Sequence, residues 1–233
     1  MRLTHELVDQ IIRRGIERMY GPEPEDVFYY LTLYNENYAM PPMPDGVGDG
    51  IEEGLYRWKG APSGDLGHRA TVLFSGSAQG AARAARKELA SRWGVGVELW
   101  SATSYKRLRE EALAVERHNR LHPTSTAGTP RVTQLLLGSA GPIVAVTDFM
   151  RAVPDQIARW VPDGRSWTSL GTDGFGRSDT RDALRRYFET DMPHVVVAVL
   201  AGLASSGEID ASVVADAIAH YDLDPDAEVP WHG

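Results

Sequence analysis

Apolar positions open the chain at helical spacing. Leu3, Leu7, Ile11, Ile12, Ile16 and Met19 share one side of a helix over residues 3–20, and Gly21-Pro22 ends the pattern. Asp26 to Tyr34, DVFYYLTLY, is then a continuous apolar and aromatic run, which predicts a strand buried on both faces. A helix and one buried strand cannot enclose a core by themselves. The segment 1–40 therefore reads as the terminal helix and strand of an α/β domain whose beginning is absent.

Breakers crowd the next stretch, NENYAMPPMPDGVGDG, so residues 41–67 read as a linker containing a short helix from Ile51 to Trp58. A second unit follows over residues 68–233. Its strands read ATVLFSGS (70–77), GVELWSA (96–102), PIVAVTD (142–148) and SWTSLGT (166–172), with RVTQLLL (131–137) as a fifth. Helical patterns at 79–92, 104–119, 151–160, 179–188, 191–205 and 209–220 separate or follow them. Strands alternating with helices of this length predict an α/β fold, a mostly parallel sheet flanked by helices.

Composition narrows the function classes. The net charge of −8 leaves no basic stripe for a phosphate backbone, so nucleic acid is not an expected partner. With no cysteine, disulfides, thiolate nucleophiles and Cys-ligated metals are excluded. The charged, amphipathic N-terminus lacks a signal peptide's apolar stretch, and no apolar run approaches the roughly 18 residues of a membrane span. The expectation is a cytoplasmic protein with no membrane partner.

Candidate chemistry is sparse. Gly48-Asp49-Gly50 has the form of a diphosphate-bound magnesium motif, but no asparagine follows between Asn37 and Asn119 to complete an oxygen shell. Gly76 and Gly80 open a helix after a strand, yet the spacing is not that of a dinucleotide fingerprint, and a close-packed turn accounts for them. His118 and His122 are four apart, but Pro123 ends their helix and a helix-end polar cluster is the better reading. Asp148, closing the strand PIVAVTD, stands either where open α/β sheets place site residues or as a helix N-cap. No catalytic residue and no metal ligand is assigned. GTDGFGRSDTRDALRRYFE (171–189) could cradle a phosphate, but Asp173, Asp179 and Asp182 oppose that, and Ser178 or Asp179 can cap the helix. A strand-to-helix reversal with Phe175 packed is the expectation.

EDVFYYLTLYNENYAMPPMPDGV, AVERHNRLHP, VTDFMRAVPDQIARWVP and LGTDGFGRSDTRDALRRYFE, in this order, resemble the C-terminal end of the homodimeric-type pyruvate dehydrogenase E1 component, of the transketolase superfamily. The resemblance runs from about residue 2 to 228. It implies a transketolase C-terminal-like domain preceded by the tail of a pyrimidine-binding domain. It also implies thiamine diphosphate and magnesium in an assembled enzyme, held mainly by partner chains and not by this chain alone. The family's activating glutamate lies upstream of this chain, so Asn35, Glu36, Asn37 and Tyr38 are near-site candidates only. Three readings stand: a non-catalytic subunit of a split E1-like enzyme, an interaction and dimerisation module, or a fragment of a full-length E1. The first implies decarboxylation of a pyruvate-like 2-oxo acid, with acyl transfer to a lipoyl carrier or a carbonyl acceptor. It implies as partners the complementary chains carrying the diphosphate and pyrimidine domains, in a dimer of the assembled unit. Ile11, Ile12, Ile16, Tyr29, Phe175 and Arg177 are its interface candidates.

Overall fold

The computed structural model describes residues 2–31 and 42–232, with the side chains of residues 2–7 and 232 left aside. The chain divides into two units, Met1–Glu53 and Gly54–Gly233. In the first, α1 (Arg2–Tyr20) is the helix expected from the periodicity, and α2 (Gly48–Glu53) is a short second helix. Gln10 Nε2 donates to Gly48 O at 3.0 Å, and Arg14 pairs with Glu52 at 3.2 Å. Residues 27–30 alternate between half-buried and exposed, but residues 26–31 belong to no strand. Phe28 is 87% exposed and Tyr30 84%, which corrects the expectation of burial on both faces. No ladder partner lies beside them among the described residues, and an apolar run without neighbouring strands has nothing to be buried against. The remaining expected strand residues, 32–34, fall outside the described residues.

The second unit holds the sheet. Its strands are β1 (Leu55–Lys59), β2 (His68–Phe74), β3 (Val95–Ala102), β4 (Ile143–Val146) and β5 (Trp167–Leu170), in the order β1-β3-β2-β4-β5. All neighbours are parallel except β1, which runs antiparallel to β3. The mostly parallel α/β architecture is thus as expected, and β1 is a correction, since a helix was expected through Trp58. Gly54 is the cause: its φ is +101°, and an added Cβ would meet Ser104 O at 2.6 Å. Only glycine fits there, the helix stops, and the chain turns into the sheet.

Side-chain alternation splits the sheet into two packed faces. Ala70, Val72 and Phe74 of β2, with Val144 and Val146, face α3 (Gln79–Arg92), α8 (Met192–Ser205) and α9 (Ala211–His220). Leu73, Ile143 and Ala145 face the other way, toward α4 (Tyr105–Leu121) and α5 (Arg131–Leu136). The latter is a second correction: RVTQLLL is helical, because Val132 and Leu136, four apart, are the pair that reaches the core. The segment expected as one helix over 151–160 divides into α6 (Ala152–Asp155) and a 3-10 turn, Ala158–Trp160. The glycine turn leads into α7 (Arg181–Tyr187), capped by Thr180, whose Oγ1 accepts from Ala183 N. Ser178 is therefore not the cap, and Asp179 instead accepts from Thr180 N at 2.6 Å.

Candidate functional site

In a sheet of this topology the place for a ligand is the carboxyl edge where the connections part to either side. The chain leaves β2 toward β3 on one flank and returns through β4 on the other, so the parting lies between β2 and β4. The residues there are Ser75, Thr147 and Asp148. The Ser75 and Thr147 hydroxyls, both buried, are 2.6 Å apart. Thr147 Oγ1 also accepts from Phe149 N at 3.2 Å. Asp148 Oδ2 accepts from Ser77 N at 3.3 Å, inside the 3-10 turn Gly76–Ala78 that leads into α3. Asp148 is therefore a cap, but for the helix after β2 and not for the segment that follows it in sequence. Its carboxylate, at the start of that helix, opposes a phosphate there.

The adjoining loops make a second constellation. Thr172 N donates to Phe149 O at 2.9 Å and Thr172 Oγ1 to Asp148 O at 2.8 Å, tying the glycine turn to the end of β4. Asp173 Oδ1 accepts from Arg151 N at 3.0 Å, and its other oxygen is 3.4 Å from Arg151 Nε. Glu189 lies 3.5 Å from the same guanidinium, whose far face stacks on Trp231 at 4.2 Å. One cation flanked by two carboxylates and an aromatic ring is already neutralised and covered, which suits a structural clasp. Gly174 makes the clasp possible. Its φ is +91°, and an added Cβ would lie 2.2 Å from Pro230 O.

Around this clasp the surface is apolar: Phe149 is 40% exposed, Met150 55%, Phe175 79% and Trp231 42%. Phe175 thus stands out from the protein, contrary to the expectation that it packs. Arg177 lies over the Tyr187 ring at 4.4 Å. Of the expected interface residues in the first unit, Ile12 and Ile16 are exposed, Ile11 is half-buried, and Tyr29 is committed internally, receiving a hydrogen bond from Arg18 at 2.9 Å and covering Gly15. Asn35, Glu36, Asn37 and Tyr38 lie outside the described residues. Phe149, Met150 and Trp231 carried no local signal in the sequence, because what unites them is the meeting of two segments far apart in the chain.

The remaining candidates resolve as local structure. Gly48-Asp49-Gly50 is the first turn of α2, with Asp49 exposed at the end a carboxylate favours. His118 and His122 stack their rings at 4.3 Å, and His122 Nδ1 lies 3.0 Å from His118 O. In the first unit a cleft of about 380 Å³ is lined by Asp9, Gln10, Arg13, Arg14, Glu17 and Glu52. Its charges are matched at 2.7 Å for Arg13 with Asp9 and 2.6 Å for Arg14 with Glu17. No group of three or more metal-binding side chains converges among the described residues. Among the described residues, a diphosphate and its magnesium, which need converging oxygens around the ion and donors around the phosphates, find no fitting set.

Comparison with known proteins gives these observations a setting. The family model "Transketolase-like TK C-terminal domain" matches residues 54–191. The pyruvate dehydrogenase E1 component of Mycolicibacterium smegmatis is 50% identical over 218 residues, covering 93% of this chain and 23% of that protein. Those of Mycobacterium tuberculosis and Escherichia coli K12 are 45% and 44% identical, each over 94% of this chain and 23% and 24% of their own length. The chain spans about a quarter of the length of the curated relatives it matches. Among solved structures, transketolase from Leishmania mexicana aligns with a TM-score of 0.44 at 17% identity, over 81% of this chain and 21% of that one.

Proposed function

We propose, for a chain that belongs to the family of transketolase-like C-terminal domains, a role as the non-catalytic C-terminal part of a thiamine diphosphate-dependent E1-type enzyme. The whole enzyme decarboxylates a pyruvate-like 2-oxo acid and passes the acyl unit to a lipoyl carrier or a carbonyl acceptor. Complementary polypeptide supplies the diphosphate site, the magnesium and most of the pyrimidine domain, and the assembled unit is a dimer. When bound there, the cofactor supplies the carbanion chemistry of decarboxylation. This chain's residues stabilise the assembly and present surfaces to it.

The observation that carries this reading is the mismatch of coverage. The E1 relatives match nearly all of the chain, including most of Met1–Glu53, whereas the C-terminal-domain family begins at residue 54. The first unit therefore corresponds to sequence that precedes the C-terminal domain in the relatives. Its exposed Ile12, Ile16, Phe28 and Tyr30 are what a piece of a larger domain presents when described without the rest.

The test is reconstitution. The chain alone is expected to give no thiamine diphosphate binding by calorimetry and no 2-oxo acid decarboxylation. Co-expressed with a polypeptide equivalent to the first three quarters of an E1, it is expected to restore both. Micromolar cofactor binding by the chain alone, or no complex on co-expression, would refute the proposal.

A further inference from the structure

α1 has two faces with different commitments. Gln10, Arg14, Gly15 and Arg18 are engaged by Gly48, Glu52, Tyr29 and Glu25 of the same unit. On the opposite side, at 100° per residue, Ile12, Ile16 and Tyr20 form a stripe at i, i+4, i+8, exposed by 43%, 53% and 80%. This stripe runs about 12 Å along the helix at 1.5 Å per residue.

Charge says what can cover it. Residues 1–53 hold four arginines (Arg2, Arg13, Arg14 and Arg18) against eleven acidic side chains, a net −7 of the chain's −8, so residues 54–233 are left with −1. An anionic lipid surface and a second copy of the same unit are both repelled, and a cationic surface is attracted.

Resting on the reading above, we infer that the Ile12–Ile16–Tyr20 face docks into an apolar groove rimmed by lysine and arginine on the complementary E1-type polypeptide. The stripe provides the buried contact, and the unit's negative field steers the encounter and fixes which partner is accepted. Ile11 and Tyr29 do not take part, being on the committed side.

The experiment co-expresses this chain with the first three quarters of the Mycolicibacterium smegmatis E1 component and measures affinity at low and high sodium chloride. Ile16→Asp, at an exposed position, is expected to leave the circular dichroism unchanged and weaken the complex by about 10- to 100-fold, the cost of losing one buried aliphatic anchor. Ile16→Val is expected to bind like the parent. Combined Glu23→Gln, Asp26→Asn and Asp45→Asn changes are expected to flatten the salt dependence. A complex indifferent to Ile16→Asp or to salt overturns this inference and leaves the proposed function standing. Absence of any complex removes both, and self-association of the chain alone that Ile16→Asp abolishes assigns the face to a second copy.

Discussion

Replacing Gly174 by alanine isolates the clasp at the carboxyl edge of the sheet. At φ +91° an L-residue is strained by about 1–2 kcal/mol. The new Cβ would also sit 2.2 Å from Pro230 O and 3.0 Å from Trp231 Cα, so the C-terminal turn Pro230–His232 must move away. Moving it separates Trp231 from Arg151, a contact worth about 0.5–2 kcal/mol. The expected total is about 1.5–4 kcal/mol, which lowers the midpoint of thermal unfolding by roughly 3–16 °C for a chain of this size. A double-mutant cycle separates the two parts. In a chain ending before residue 230, Gly174→Ala is expected to cost only the backbone strain, giving a coupling of about 1 kcal/mol in denaturant unfolding. Equal costs in the full and shortened chains would refute the clasp.

Arg165 is expected to be a structural hub: its guanidinium donates to the carbonyls of Gly141, Leu136 and Ala140, to Thr71 Oγ1 and to Ser139 Oγ. Burial holds its pKa down. Arg165→Met should destabilise by about 2–4 kcal/mol in urea unfolding, since several partly enclosed carbonyls lose a charged donor at once. Leu73→Ala, at a fully buried position near the carboxyl end of β2, should cost about 3–5 kcal/mol by the same measurement. Glu88 is held below its ordinary 4.5, first by the hydrogen bond from Arg92 and then by that from Tyr221. A depressed carboxylate stabilises above its unfolded value and loses that contribution as pH falls through the folded one. Glu88→Gln should therefore flatten the acid limb of stability below about pH 4.5, by under about 1 kcal/mol because the pair is partly solvated.

The sequence was most legible where one element decides its own fate. The amphipathic period of α1 and the long helical patterns of α3, α4 and α8 appear at or near their expected places, and the four main strands were legible as apolar runs. It failed where a distant partner decides. LYRWK becomes a strand because β3 offers its edge, and the position before it must be glycine because Ser104 O, 50 residues away in the chain, lies against it. RVTQLLL is β-branched enough to pass for a strand, and its four-residue period shows only once the core contacts of Val132 and Leu136 are known. The strand in PIVAVTD ends at Val146, two residues before Asp148, which still lies at the sheet's carboxyl edge, and its partner, Ser77, is 71 residues away in the chain. The clasp was invisible for the same reason, with Arg151, Asp173 and Trp231 brought together from three loops.

The pairing of β2 with β4 also bears on how the second unit acquires its structure. Ser75 and Thr147, neighbours at the end of that pair, are 72 positions apart, and the chain between β2 and β4 holds α3, β3, α4 and α5. The centre of the sheet therefore closes only after a long loop has been ordered, the kind of non-local contact that slows folding. Until β4 arrives, Val72 and Leu73 lie at the edge of a partial sheet, β1-β3-β2, open along one side. Delivery of β4 is the step expected to set the folding rate of this unit, and until it is complete the partial sheet's open edge is vulnerable to aggregation.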